Sequence, residues 1–231
     1  MKLAIMRHQR LASVSLGLTL AYALAALKFA SKTTILSPVF DFVLIFITSA
    51  GLYKLVVNVI CSVVGSSEFL LRLYWGRLHV AGLWSYSYTL EDSEDDTVYF
   101  GVWRFEQNLF GTSVVGFGLT DDYRVRSHVR SVTDMLDNGN AYEFVNVRSD
   151  SIDSSAEYYS RTTMFFELSG RHFLRRPIRM RGKTFVYGGP RSGGICSNFF
   201  VRHEKARTEQ DVIDIIRSNI KNHGHVHPTP P

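Results

Sequence analysis

The sequence predicts two membrane-crossing helices, then an all-β, eight-stranded antiparallel up-and-down β-barrel, then a short C-terminal helix and tail. Three observations predict it. Apolar residues crowd the first 65 positions. From residue 78 onward, apolar and polar residues alternate with period two, broken at regular intervals by turn residues. No helix-period segment of useful length interrupts that pattern before residue 203. The expected units are a transmembrane hairpin at 1–70, a ligand-sensing barrel at 76–203, and a helix with a flexible tail at 204–231.

The chain has 231 residues, so about one compact domain remains once the apolar N-terminal segment is set aside. Its net charge is +5, with most of the excess in the last third, which favours anionic partners such as phospholipid head groups or nucleotides. Cys61 lies in an apolar segment and Cys196 in a strand-like run, so no disulfide framework is expected and a reducing compartment fits best.

The first apolar run, 11–27, holds no charged residue, and Lys28 after it can snorkel, which brings the span to about 20 residues. A second runs from about 39 to 64, entered at Pro38. The short connection at 31–37 makes the pair a helical hairpin. A signal peptide competes for the first run, given Lys2, Arg7 and Arg10 before it and the small residues Ala23 and Ala25 near its end. The run is long for a signal, and a second span follows at once. Lys and Arg counts favour both chain ends, and with them the barrel, in the cytoplasm. Ser13, Gly17, Ala21 and Ala25 form a small-residue stripe that permits close helix approach, either within the hairpin or between copies. Ala50, Lys54, Asn58 and Ser62 form a second stripe. Lys54 inside a span is costly, so it is a functional candidate unless it snorkels.

Eight strands follow, at about 78–90, 97–107, 112–120, 123–136, 141–148, 157–168, 177–188 and 195–203. The first puts Gly82, Trp84, Tyr86, Tyr88 and Leu90 on one face. Acidic residues at 91–96, Asp121-Asp122, and Asn138-Gly139 supply turns, the last a strong hairpin signal. Closing the meander removes both sheet edges and leaves an interior for side chains or one small ligand. A two-sheet sandwich is the alternative. Candidate lumen aromatics are Trp84, Tyr86 and Tyr88, then Tyr142 and Phe144 with Asn146, then Tyr158 or Tyr159. Such stripes are usually core, so the basic residues matter more: Arg124, Arg126 and Arg130 on one strand face, Arg179 and Arg181 on another, and Arg191 in a glycine-rich turn. Aromatic faces to stack on, together with guanidiniums, suit a ligand with two planar bases and two phosphates.

Two apolar segments precede Gly82-Leu83-Trp84-Ser85-Tyr86, Ala141-Tyr142-Glu143-Phe144-Val145-Asn146, Arg181-Gly182-Lys183-Thr184-Phe185 and Arg191-Ser192-Gly193-Gly194-Ile195. In this order and spacing the chain resembles the two-transmembrane, β-strand-rich effectors of bacterial CBASS anti-phage systems, over about residues 10–203. The resemblance implies a lipocalin-like cytoplasmic barrel that binds a cyclic dinucleotide from a partner nucleotidyltransferase. Binding would drive homo-oligomerisation, inner-membrane disruption and death of the infected cell, with no catalysis, no cofactor and no nucleic-acid polymer. It implies ligand-binding roles for Ser127, Ser131, Tyr142, Phe144, Asn146 and Arg191, to which the strand-face aromatics add Trp84 and Tyr86 and the matched segment 181–185 adds Phe185; the two helix stripes give membrane or assembly roles to Gly17, Ala21, Lys54 and Asn58. Phe144 replaces a family tyrosine, so stacking survives and its hydroxyl is lost. Taking Ser127 and Ser131 as inward turns Arg126 and Arg130 outward.

At the C-terminus, Val212, Ile213, Ile216 and Ile220 form one stripe of an amphipathic helix. His223, His225 and His227 alternate on a Pro-rich end, which reads as a tail more readily than as a metal site. A membrane-tethered, lipocalin-like carrier of an apolar ligand is the competing function, and it predicts a lumen without convergent basic residues. No Ser-His-Asp arrangement, metal-spaced cluster or carboxylate pair points to an enzyme.

Overall fold

The computed structural model describes residues 2–30, 38–91, 97–132, 136–137, 141–150, 157–167, 177–188 and 193–223. The expected acidic turn at 92–96, the Asn138-Gly139 turn, Arg191 and the tail histidines His225 and His227 lie outside them. The chain divides into two units, Met1–Tyr74 and Trp75–Pro231.

The first unit holds helices α1 (Lys2–Ala30) and α2 (Pro38–Ser66), which pack against one another. Ser15 and Thr19 are buried and Ala23 and Ala26 half-buried, so these mark the packed face of α1. Thr19 Oγ1 donates to the Ser15 carbonyl at 2.9 Å, which satisfies the hydroxyl locally. The expected stripe of Ser13, Gly17, Ala21 and Ala25 is exposed, so it does not serve hairpin packing. Ala50, Lys54, Asn58 and Ser62 are exposed as well.

The expectation of two spans needs correcting. Among the described residues one helix, Ile45–Ser66, is long and apolar enough to cross a membrane. Its 22 residues reach about 33 Å, against a hydrocarbon core of about 30 Å. The apolar part of α1 is shorter, Ala12–Lys28, and reaches only about 25 Å. Lys2, Arg7 and Arg10 occupy the rest of that helix.

A short helix α3 (Glu68–Trp75) leads toward the second unit, which opens with a single 3-10 turn, Gly76–Leu78. Among the described residues nine strands follow: β1 (Gly82–Leu90), β2 (Tyr99–Gln107), β3 (Thr112–Leu119), β4 (Val125–Ser131), β5 (Leu136–Asp137), β6 (Ala141–Asp150), β7 (Glu157–Phe166), β8 (Arg179–Val186) and β9 (Ile195–Arg202). Each full-length strand pairs antiparallel with its neighbours, β1 pairs with β9, and β4 pairs with β6. The result is a closed eight-stranded up-and-down barrel, not a sandwich. The two-residue β5 is an appendage on β6.

Alternation divides the side chains as a barrel requires. One end of the interior is filled. Trp84, Phe105, Tyr142, Phe144, Met164, Met180 and Phe200 are buried there, with edge-on contacts between Trp84 and Phe105 and between Trp103 and Phe144. The segment before β1 closes this end. Tyr142 and Gln107 donate to the Leu78 carbonyl at 2.7 and 2.9 Å, Arg202 donates to the carbonyls of His79 and Ala81, and Trp84 Nε1 donates to that of Val80 at 2.8 Å. Buried carbonyls of an irregular segment are thus bonded by barrel side chains, the condition for putting such a segment in a core.

Helix α4 (Glu209–His223) lies on the outer face of β1–β3. Thr208 and Asp211 cap its start reciprocally: Thr208 Oγ1 accepts from Asp211 N–H, and the Asp211 carboxylate accepts from Thr208 N–H. The predicted stripe is real. Val212, Ile213 and Ile216 form a buried cluster with Leu83, Val102 and Leu119, flanked by Ile220. Arg104 on β2 adds an ion pair with Glu209 at 2.7 Å.

Candidate functional site

The unfilled end of the barrel is a partly open chamber of about 140 Å³. Tyr86, Tyr88 and Leu90 of β1 line it, as do Trp103 of β2, Asn146 and Arg148 of β6, and Tyr158, Ser160 and Thr162 of β7. Thr184 and Val186 of β8, Cys196 and Asn198 of β9, and Arg126 of β4 complete most of the wall. Aromatic surface, hydroxyls, amides and two guanidiniums therefore face one space.

Glycines make room for this wall. A Cβ at Gly101 would collide with the Phe117 carbonyl oxygen and the Tyr86 ring. A Cβ at Gly118 would fall 2.6 Å from an Arg148 guanidinium nitrogen and 2.9 Å from Ser127 Oγ. Tyr86, packed between Tyr88, Trp103 and Phe200, has its pKa pushed up to about 12, chiefly by burial, so it remains a neutral hydroxyl at physiological pH.

Arg148 is the chamber's central charge. Its Nε donates to Ser127 Oγ at 2.6 Å, its Nη1 donates to the Tyr88 hydroxyl at 3.1 Å, and the guanidinium carbon lies 5.7 Å from the Tyr88 ring centre. Burial works against the charge, but the neighbouring Tyr86 and Tyr88 hydroxyls outweigh it and hold the pKa above the ordinary guanidinium value. Among the described residues no carboxylate pairs with Arg148. Deeper in the chamber runs a belt of neutral polar groups. Asn146 Nδ2 donates to Thr162 Oγ1 (2.9 Å), the Thr162 and Thr184 hydroxyls bond to each other (2.8 Å), and Asn198 Nδ2 donates to Thr184 Oγ1 (2.6 Å). The Asn146 carbonyl oxygen is buried without a hydrogen-bond partner.

Of the residues singled out from sequence, Tyr86 and Asn146 line the chamber, as do Tyr88 and Tyr158. Ser127 does face inward, but it acts by holding Arg148. Trp84, Tyr142 and Phe144 belong to the filled end, and the bonds of Trp84 and Tyr142 go to the closing segment. Ser131 Oγ accepts from the Val114 N–H on β3 at 3.0 Å, a structural bond. Phe185 is 47 % exposed on the outer face, while its neighbours Thr184 and Val186 line the chamber. The outward placing of Arg126 also needs correcting. Gly118 pairs with Ser127 but Leu119 pairs with Val125, so Arg126 is the extra residue of a β-bulge. The bulge lets Ser127 and Arg126 both face the interior, with Arg126 5.9 Å from the Tyr99 ring centre. Arg130 is exposed. Gly17, Ala21, Lys54 and Asn58 lie in the helical unit, all exposed.

Arg148, Thr162, Thr184 and Asn198 were not anticipated. Arg148 is the next alternate position after Tyr142, Phe144 and Asn146, so extending that register by one step finds it. The two threonines and Asn198 carry no local signal; they meet only across strands.

Fold and chamber together define a closed antiparallel barrel with room for part or all of a small ligand. No family model matches the chain. No curated protein matches it either. Among solved structures, a redesigned β-barrel, mFAP1, bound to DFHBI aligns at 13 % identity and a TM-score of 0.37, covering 53 % of this chain and 94 % of that one. A likeness at that level carries no argument about function.

Proposed function

We propose that this chain is a membrane-anchored sensor–effector whose barrel binds a cyclic dinucleotide, as the resemblance to CBASS effectors implies. The ligand would come from a partner nucleotidyltransferase during phage infection, and binding would drive self-association and disruption of the bacterial inner membrane. One observation carries this reading: a guanidinium, Arg148, faces an open chamber with no carboxylate to neutralise it among the described residues. A buried charge without a counter-ion is costly, and an anionic ligand offsets that cost. Arg126 at the same wall and the rings of Tyr86, Tyr88 and Trp103 supply the rest of what a phosphate-linked pair of planar bases requires.

The cavity of about 140 Å³ is smaller than the roughly 300–1,000 Å³ of pockets that enclose drug-sized ligands. In this reading one base enters the chamber, and the phosphodiester ring sits toward the mouth near the two arginines. The tethered carrier of an apolar ligand fits less well, because it calls for a chamber free of convergent charge. Assembly would use the exposed Gly17–Ala21 face of α1 and the Lys54–Asn58 face of α2, with Ile45–Ser66 as the anchor. Ligand can drive it only through higher affinity for the assembled state.

A thermal-shift panel on the full chain in detergent tests the reading. Cyclic dinucleotides should raise the melting temperature in a saturable way, and long-chain fatty acids should not. Stabilisation by fatty acids alone would transfer the barrel to the carrier class.

A further inference from the structure

The belt below Arg148 has an uneven supply of protons. Asn146 Nδ2 and Asn198 Nδ2 each give a proton to a threonine oxygen, and one threonine hydroxyl gives its proton to the other. One hydroxyl proton remains unassigned. The Asn146 carbonyl oxygen, on a residue only 2 % exposed, has no donor at all. Both Asn146 and the threonines line the chamber. Native interiors rarely leave a buried acceptor unbonded, and such an atom on a residue that lines a cavity marks where a donor from outside fits.

We propose that the chamber floor recognises its ligand through an N–H group, which donates to Asn146 Oδ1 while the spare threonine hydroxyl donates back to an adjacent ring acceptor. The ligand class is therefore a planar heterocycle with an N–H donor beside an acceptor on one edge, inserted edge-first beneath Arg148. Tyr86, part of the same wall, supplies a flat face beside it. A fatty acyl chain, which has no donor, leaves the Asn146 oxygen unbonded. This inference rests on the chamber being the nucleotide site. It adds that base selection happens at Asn146, whereas charge is read at the arginines.

The test uses the full chain in detergent and isothermal titration calorimetry. The probes are cyclic di-AMP, cyclic di-GMP and cyclic di-UMP, together with the counterpart of the tightest binder in which every base N–H is methylated. The methylated compound should bind wild type at least about tenfold more weakly, since a site built to hydrogen-bond a donor rejects the analogue lacking it. In Asn146→Ala, which removes the acceptor and opens space for the methyl group, the two compounds should bind within about threefold of each other. Equal binding of both compounds to wild type overturns the inference while leaving the nucleotide reading intact. So does a gap that persists in Asn146→Ala. If none of the three parent compounds binds, the nucleotide reading falls and this inference falls with it. The wild-type comparison needs no variant, so a poorly folding Asn146→Ala does not block the test.

Discussion

Replacing Arg148 by Met separates a guanidinium kept for ligand from one kept for the fold. Met preserves most of the stem's volume and removes the charge. The lost interactions are two hydrogen bonds from a charged donor, to Ser127 Oγ and to the Tyr88 hydroxyl. At about 1.5–3 kcal/mol each they sum to about 3–6 kcal/mol. Against this stands the relief of burying an ion, several kcal/mol after relaxation. The two terms nearly cancel, so the unliganded barrel should change by no more than about 2 kcal/mol in either direction. For a chain of this size that is a shift of no more than about 8 °C in Tm. Ligand binding has no such compensation. Losing one charge-assisted bond to a phosphate costs about 1.5–3 kcal/mol, or about ten- to a hundredfold in Kd. Urea denaturation monitored by Trp fluorescence and calorimetric titration with a cyclic dinucleotide measure the two halves on one preparation. A variant that loses well over 3 kcal/mol of stability would make Arg148 a structural residue. An unchanged Kd would remove it from the site. Either result refutes the argument.

Four further outcomes are expected. Ile216→Ala truncates a side chain in the cluster that seats α4 on β1–β3, and should cost about 2–5 kcal/mol in urea denaturation. Gly118→Ala places its Cβ against the movable end of Arg148, so it should weaken ligand binding more than it lowers Tm; Gly101→Ala meets the Phe117 backbone oxygen and should lower Tm more than Gly118→Ala does. Burial lowers the pKa of His203, whose ring nitrogen bonds Ser85 Oγ at 2.8 Å. The unfolded chain therefore binds the extra proton first, so this contribution is intact above the unfolded value of about 6.5 and is lost as pH falls below it; His203→Gln should flatten that part of a Tm-against-pH curve. Lys54→Leu should leave ligand affinity unchanged and reduce dye leakage from vesicles carrying the protein, and equal leakage would take Lys54 out of the membrane step.

The barrel was legible because a strand with one buried face must alternate, and the residues from Gly82 to Arg202 do so between turn signals. The lumen was only half legible. Tyr86 and Asn146 stand at alternate positions of clear strands. Phe185 enters the expected site only through the matched segment 181–185, and alternation, which states that two faces exist and is silent on which one is inside, does not exclude it. Arg126 was misplaced because a single extra residue on β4 reverses the alternation locally, and nothing in Arg124-Val125-Arg126-Ser127 announces that bulge. The first apolar segment reaches the length of a full span only if Lys28 snorkels, and the apolar part of α1 stops at Ala12 below three basic residues.

By itself, then, the sequence determined an apolar helical segment, a run of β-strands joined by hairpin turns, and an amphipathic helix after them, because these depend on periodicity along one chain. Only the tertiary structure decided that β1 meets β9 to close the ring, that aromatic residues fill one end and leave the other open, and that Asn146, Thr162, Thr184 and Asn198 join into one belt around Arg148's chamber. Closure and cross-strand contact bring together residues more than a hundred positions apart, such as Trp84 and Arg202, and no local pattern encodes a distance between them.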